Sequence, residues 1–343
     1  MADALNQTGV GKPVSTRPLY YDLDGFRLSG AFNIDRYRSA LAYKPQPDDI
    51  FIVTYPKCGT TWLQEICYLI LNDGQAPANH VDRLINTPFF ELLGDECVNR
   101  MRRPGAIKTH LPFNLLPYSP LAKYIYAIRN PKDCVVSFFY HTSQTYPGYN
   151  FSDGTFSEFF ELFMAGETDF GSYFDHLRSG AQYANTHKDN IHLIYFEDVK
   201  SNGAEEILKL GRFLGAEYES KLRAGLLEKV MEQSSIKKMK EDFKDFGIST
   251  EDQKLPEGLR QLAVINKALS REEEAGDSAQ TSKQGLIQFK DHVRKGNVND
   301  WRIHLTPEQN ARLEEKIFNE VEPDFPQIVR KWREHGVFDA LPN

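Results

Sequence analysis

Thr54-Tyr55-Pro56-Lys57-Cys58-Gly59-Thr60-Thr61-Trp62 is the segment with the clearest chemical content. It follows the apolar run Ile50-Phe51-Ile52-Val53. It leads into apolar positions at helical spacing: Trp62, Ile66 and Ile70, with Leu63, Cys67 and Leu71. A glycine-containing loop between a buried strand and a helix aims backbone N–H groups and the helix N-terminus at one point. Such a point attracts phosphate or another anion. Thr60 and Thr61 add hydroxyl donors, and Lys57 adds a positive charge. The lysine precedes the glycine, so the Gly-Lys-Ser/Thr order of a nucleoside-triphosphate P-loop is absent and a nucleotide kinase is disfavoured. A tight strand–helix turn capped by a threonine is the plainer alternative for the same residues.

A loop of this kind needs a sheet to hold it, and the chain supplies repeated strand–helix units. Ala106-Ile107-Lys108-Thr109 precedes a proline-punctuated loop, His110 to Pro120. Tyr124-Ile125-Tyr126-Ala127-Ile128 is followed by a turn at Arg129-Asn130 and a helix opened by Pro131 at its favoured first position. Ile191 to Phe196 precedes a helical pattern over residues 204–213. The alternation predicts an α/β fold, a central parallel sheet flanked by helices. Residues 219–240 read as helix, and helical periodicity returns over residues 306–318. Residues 1–20 read as a flexible N-terminal arm. Residues 21–343 read as one domain, with a weakly patterned, lid-like insertion at about 241–290 that includes the polar run 271–284.

The chain has 343 residues, with 48 Asp+Glu against 41 Lys+Arg and a formal charge of −7, which argues against a general nucleic-acid binder. Apolar residues make up 41%, yet no run reaches the roughly 18 residues a membrane span needs. The N-terminus carries neither a basic segment nor an apolar core, so the expectation is a cytoplasmic protein without a membrane partner. Cys58, Cys67, Cys97 and Cys134 are scattered and read as free thiols. The histidines include no H-E-x-x-H, and no metal is expected.

Tyr-Pro-Lys-Cys-Gly-Thr-Thr-Trp resembles the 5′-phosphosulfate loop of the cytosolic sulfotransferases, usually Tyr-Pro-Lys-Ser-Gly-Thr-Thr-Trp. Lys108-Thr109-His110-Leu111-Pro112 resembles the family's Lys-Thr-His-Leu-Pro. Arg129-Asn130-Pro131-Lys132-Asp133, continuing to Ser137, resembles its 3′-phosphate segment. Arg294-Lys295-Gly296, followed by Asp300-Trp301, resembles the C-terminal motif that closes over the same phosphate. The blocks stand in the family's order and span most of the chain from Tyr20 to Phe318.

The resemblance implies an enzyme that uses 3′-phosphoadenosine-5′-phosphosulfate (PAPS) as donor and releases 3′-phosphoadenosine-5′-phosphate (PAP). His110 would be the general base, and Lys57 would stabilise charge on the leaving oxygen. Lys108 would hold the phosphosulfate and orient the acceptor. Arg129, Ser137, Arg294, Lys295 and Gly296 would recognise the 3′-phosphate, Ser137 also restraining the lysine. Cys58, Gly59, Thr60 and Thr61 would cradle the 5′ end. Trp62, Phe196, Ser234, Ile236 and Met239 would surround adenine, with Ile236 where the family has an aromatic and Phe196 where it has tyrosine. Cys58 replaces the usual serine, and a thiol beside a lysine and a helix N-terminus is in a setting that favours oxidation.

The acceptor would be a small, mostly apolar phenol, catecholamine-like amine or steroid-like alcohol. Thr87-Pro88-Phe89-Phe90-Glu91-Leu92 resembles the family's pocket strip, so Phe89 and Leu92 are expected there, with Lys108 and His110. Phe32, His141 and Tyr146 are further candidates, and Tyr149 and Tyr173 weaker ones. The family's dimer motif, Lys-x-x-x-Thr-Val-x-x-x-Glu, has become Arg302-x-x-x-Thr306-Pro307-x-x-x-Ala311, which predicts a monomer or a dimer made differently. Two competing readings share the fold: a catalytically silent nucleotide binder, and an enzyme whose sulfated product eliminates to give net dehydration.

Overall fold

The computed structural model describes residues 12–144, 147–243 and 296–338. Tyr146, Arg294, Lys295 and most of the insertion expected at about 241–290 lie outside them. The core is a four-stranded parallel sheet in the order β5-β4-β6-β7, made by Gly105–Thr109, Asp49–Thr54, Lys123–Ile128 and Ile191–Tyr195. β4 lies inside, paired with β5 (Ile52 opposite Lys108) and with β6 (Ile52 opposite Ile125). All of its residues are buried, which is why its centre, Ile50-Phe51-Ile52-Val53, reads as an unbroken apolar run.

Successive side chains of β4 serve opposite faces. Ile50 and Ile52 pack with Leu63, Ile66 and Ile70 of the helix Thr60–Leu71 and with Ile207 and Leu210 of the helix Gly203–Leu214. Phe51 and Val53 enter the larger core on the other face, with Tyr124, Phe90, Phe113 and Leu177. The predicted parallel sheet covered on both faces is the observed one.

Two expectations need correction. The arm ends before residue 20, because β1 Lys12–Thr16, β2 Leu19–Leu23 and β3 Phe26–Ser29 form an antiparallel sheet. Tyr20, Leu23 and Leu28 are fully buried against the main core, and that burial holds the segment down. The helix expected over residues 219–240 is broken into Ala216–Lys221, a π-helical turn Leu222–Leu226, Leu227–Gln233 and Ile236–Phe243. Gly225 at φ 114° cannot continue a helix. No helix among the described residues is long and apolar enough to cross a membrane.

Candidate active site

The loops after β4, β5 and β6 leave the same edge of the sheet, the usual ligand position in open α/β folds. In the β4 loop Lys57 has φ 67° and Gly59 φ 91°. A Cβ on Gly59 would stand 2.8 Å from the Phe196 ring, so glycine is required both by conformation and by space. Gly59 is the N-cap of Thr60–Leu71 and supplies no side-chain cap, which leaves the helix N-terminus open to an anion. The Thr60 hydroxyl lies 2.5 Å from that of Thr54, tying the loop back to β4. Cys58 is buried; its thiol and that of Cys134, 3.8 Å apart, both donate to the Pro56 carbonyl.

His110 follows β5. Its Nδ1 lies 2.9 Å from the Thr54 carbonyl, which can only accept, so Nδ1 carries the proton and Nε2 is left as the basic nitrogen. Burial above all pushes its pKa down to about 3, assisted by the nearby charges of Lys108, His176 and Lys57 and opposed by the Thr54 bond. The imidazole is therefore neutral across the physiological range. Lys108 is pushed down to about 8 by burial, with Glu91 opposing the shift, and its ammonium lies 4.9 Å from the centre of the Phe89 ring.

Glu91 was not among the sequence-predicted functional residues. Its fully buried carboxylate accepts the His110 backbone N–H at 2.7 Å. Burial raises its pKa to about 7, partly offset by that bond. An acid inside the apolar strip Phe89-Phe90-Glu91-Leu92-Leu93 was the signal that could have found it.

Arg129, at the end of β6, donates from Nη1 to the Lys57 carbonyl (3.1 Å) and from Nη2 to the Asn297 carbonyl (3.0 Å). Its guanidinium lies 4.4 Å from the Phe196 ring centre, and its buried Nε has no hydrogen-bond partner among the described residues. The Trp62 and Phe196 rings meet edge to face at 5.7 Å, and the Trp62 indole N–H donates to the Ser234 carbonyl at 2.9 Å. Met239 is buried on the helix Ile236–Phe243. Gly296 has φ 61°, and a Cβ there would stand 2.4 Å from Ile236. The structure thus brings Lys57, Gly59, Arg129, Phe196, Trp62 and Ser234 into one connected set, and Ile236 against Gly296. Ser137 lies half-buried on the helix Pro131–Gln144.

On the other side of His110 the surfaces are aromatic. Phe89 and Phe170 meet the imidazole edge to face at 5.2 and 5.0 Å, and Phe32 meets both rings at 5.7 and 5.5 Å. Leu92 is buried in the same core. The pKa of His141 is lowered by burial and then by Lys57, His110 and Lys108, which places it in the same electrostatic neighbourhood. Phe170, at φ 63°, touches His110 and was not among the residues that sequence reasoning named. Tyr173 is corrected: its buried hydroxyl donates to the Arg129 carbonyl at 2.6 Å and supports the basic side instead. Tyr149 donates to the buried Asp169 carboxylate at 2.5 Å. Among the described residues, no group of three or more His, Cys, Asp or Glu side chains is placed to hold a metal ion.

A parallel sheet with an uncapped helix N-terminus beside Lys57, Lys108 and Arg129 defines an anion-handling α/β protein. More narrowly, the sequence matches the sulfotransferase domain over residues 47–323, and the chain belongs to that family. It is 33% identical over 313 residues to mouse sulfotransferase 1 family member D1, covering 88% of this chain and 92% of that protein. It is 31% identical over 296 residues to rat sulfotransferase 1C2, covering 82% and 86%. A mouse sulfotransferase crystallised with PAP superposes with a TM-score of 0.60 at 25% identity, over 88% of this chain and 95% of the other.

Proposed function

We propose that this chain transfers a sulfuryl group from PAPS to a hydroxyl or amine of a small, mostly apolar acceptor. The observation that carries the reading is the fixed, neutral tautomer of His110, with Nδ1 on the Thr54 carbonyl and Nε2 available as a base. Two features support the fit of a 3′-phosphorylated donor: the loop that tolerates no Cβ at Gly59, and the buried Nε of Arg129, which has no partner among the described residues. Lys57, Gly59, Thr60, Thr61 and the helix N-terminus would hold the 5′ end. Arg129, with Ser137 and the sequence neighbours Arg294, Lys295 and Gly296, would hold the 3′-phosphate. Cys58 would shape the loop from below, and Trp62, Phe196, Ser234, Ile236 and Met239 would enclose the base.

The donor would supply a sulfuryl group, its bond to the 5′-phosphate oxygen breaking as the acceptor oxygen or nitrogen bonds to sulfur. His110 Nε2 takes the acceptor's proton. Lys57 balances charge on the departing oxygen, and Lys108 orients the acceptor and withdraws charge from the sulfuryl oxygens. Glu91 holds the His110 main chain, and Phe32, Phe89, Leu92, Phe170 and His141 would exclude water from the reacting atoms. A single domain without the family's dimer contact belongs to the same proposal. Thr306 and Pro307, where that motif would lie, are used to cap the helix Pro307–Glu320 in a capping box with Gln309. Light scattering at micromolar concentration tests that point.

The decisive experiment supplies radiolabelled PAPS with a panel of phenols, amines and sterols, using His110→Ala as control. Sulfated product from the parent and about 10²–10⁴-fold less from the variant is expected. Tight donor binding without transfer would support the silent reading, and a dehydrated product mass the eliminating one.

A further inference from the structure

Arg129, the residue assigned to the 3′-phosphate, does not hold its own position. One terminal nitrogen rests on the Lys57 carbonyl and the other on the Asn297 carbonyl, which belongs to the segment returning from far along the chain. That segment is fastened by Asp133, which lies in the first turn of the helix Pro131–Gln144 and is 1% exposed. Further along it is fastened by Asn299 and Arg302, on the His335 and Gly336 carbonyls. One carboxylate oxygen of Asp133 accepts the Asn299 N–H at 2.8 Å and the Asn130 side-chain amide at 2.9 Å. The other accepts the Trp301 N–H at 3.1 Å. Asn299 has φ 66°, so its N–H and that of Trp301 can converge on one carboxylate. Trp301 is fully buried, with its ring beneath the Lys132 ammonium at 4.0 Å and its indole N–H on the Asn299 side chain at 3.1 Å.

We propose that Asp133 is a positioning and specificity-determining residue for the donor's 3′-phosphate, acting on Arg129 through Asn297; this rests on the donor reading above. A charged acceptor held by backbone N–H donors is a strong, rigid fastening. Without it the 297–301 segment loosens, Asn297 no longer braces the guanidinium, and the arginine must be ordered at the expense of binding. Only a nucleotide bearing a 3′-phosphate gains from that bracing. Asp133 therefore sets the preference for PAP over adenosine 5′-monophosphate, which lacks that group, rather than adenine affinity as such.

The test is calorimetric titration of both nucleotides into the parent and into Asp133→Asn, which retains one carbonyl acceptor and loses the charge. The parent is expected to prefer PAP. In the variant, PAP affinity falls about tenfold or more while adenosine monophosphate stays within about twofold. Equal weakening of both, or unchanged PAP affinity, overturns the assignment. A parent with no preference for PAP overturns the donor reading itself, and this inference with it. Should the variant fail to fold, hydrogen exchange on the parent decides: PAP must slow the Asn299 and Trp301 amides more than adenosine monophosphate does. Equal slowing overturns the proposal.

Discussion

The two sides of His110 are built on different principles. On the basic side, main-chain carbonyls receive the side chains: Lys57 and Asn297 take Arg129, Ser234 takes Trp62, and Pro56 takes the two thiols. On the aromatic side, Phe32 meets Phe89 and Phe170, and those two meet His110, through ring edges and faces. Geometry fixed by backbone demands particular residues at particular spacings, whereas geometry fixed by rings demands volume. The first kind constrains sequence tightly, and the second leaves it free to drift with the acceptor.

That contrast can be broken or sharpened by experiment. His110 belongs to both sides, and His110→Ala should lower turnover by about 10²–10⁴-fold, with PAP affinity within about twofold by calorimetry. A loss confined to PAP binding would remove it as the base. Next, Gly59→Ala places a Cβ against Phe196 at a left-handed φ, a strain of order 1–3 kcal/mol. PAP affinity should fall by roughly ten- to a hundredfold while the acceptor KM holds. Phe170→Ala should do the reverse, raising the acceptor KM by about tenfold without moving PAP affinity, since a lost ring contact is worth about 1 kcal/mol beyond its area. If each of these variants damaged both substrates equally, the two sides would not be separable.

The pH responses are smaller. With His110 held near 3 by burial, kcat/KM of a Glu91→Gln variant, which removes the acid beside it raised to about 7, should stay flat from pH 7.5 to about 5.5. Above about 8 it should decline as Lys108 loses its proton. An acid limb centred near 6.5 would show that the imidazole is not desolvated. The aromatic side also carries Asp169, whose burial raises its pKa to about 7, against about 3.9 in an unfolded chain. As pH rises from about 4, the unfolded chain releases this proton first, so folding stability declines until about pH 7. Asp169→Asn, which can still accept from Tyr149, should flatten that decline and exceed the parent's Tm at pH 8 by roughly a few degrees. Smallest of all is Cys58→Ser. With the thiol only 1% exposed, donor affinity should change by less than about threefold, and peroxide should leave both proteins equally active.

The same contrast explains what could be read beforehand. The β4 loop, the strand end at His110 and the turn at Arg129 are contiguous, and their glycine and basic residues have few substitutes. Phe170 is one of 23 phenylalanines, and only a fold brings it to His110. Glu91 was visible as an acid in an apolar strip, but its bond to the His110 main chain joins residues 19 apart. The N-terminal sheet was missed because its strands are short and broken by Arg17-Pro18 and Asp24-Gly25. The second pair is a hairpin signal in its own right, with φ of 55° and 83°.

The order of the sheet carries one more consequence. β4 and β5 are hydrogen-bonded neighbours, so their axes lie about 4.8 Å apart, as in any sheet. Lys57 lies three residues beyond the end of β4, and His110 lies one beyond the end of β5. Their separation is thus ruled off against the pitch of the sheet itself. Core residues above and below can be exchanged, and the pocket recut for another acceptor, without moving that yardstick. A protein engineer can alter nearly every other dimension of this crevice, but changing this one means unpairing a strand.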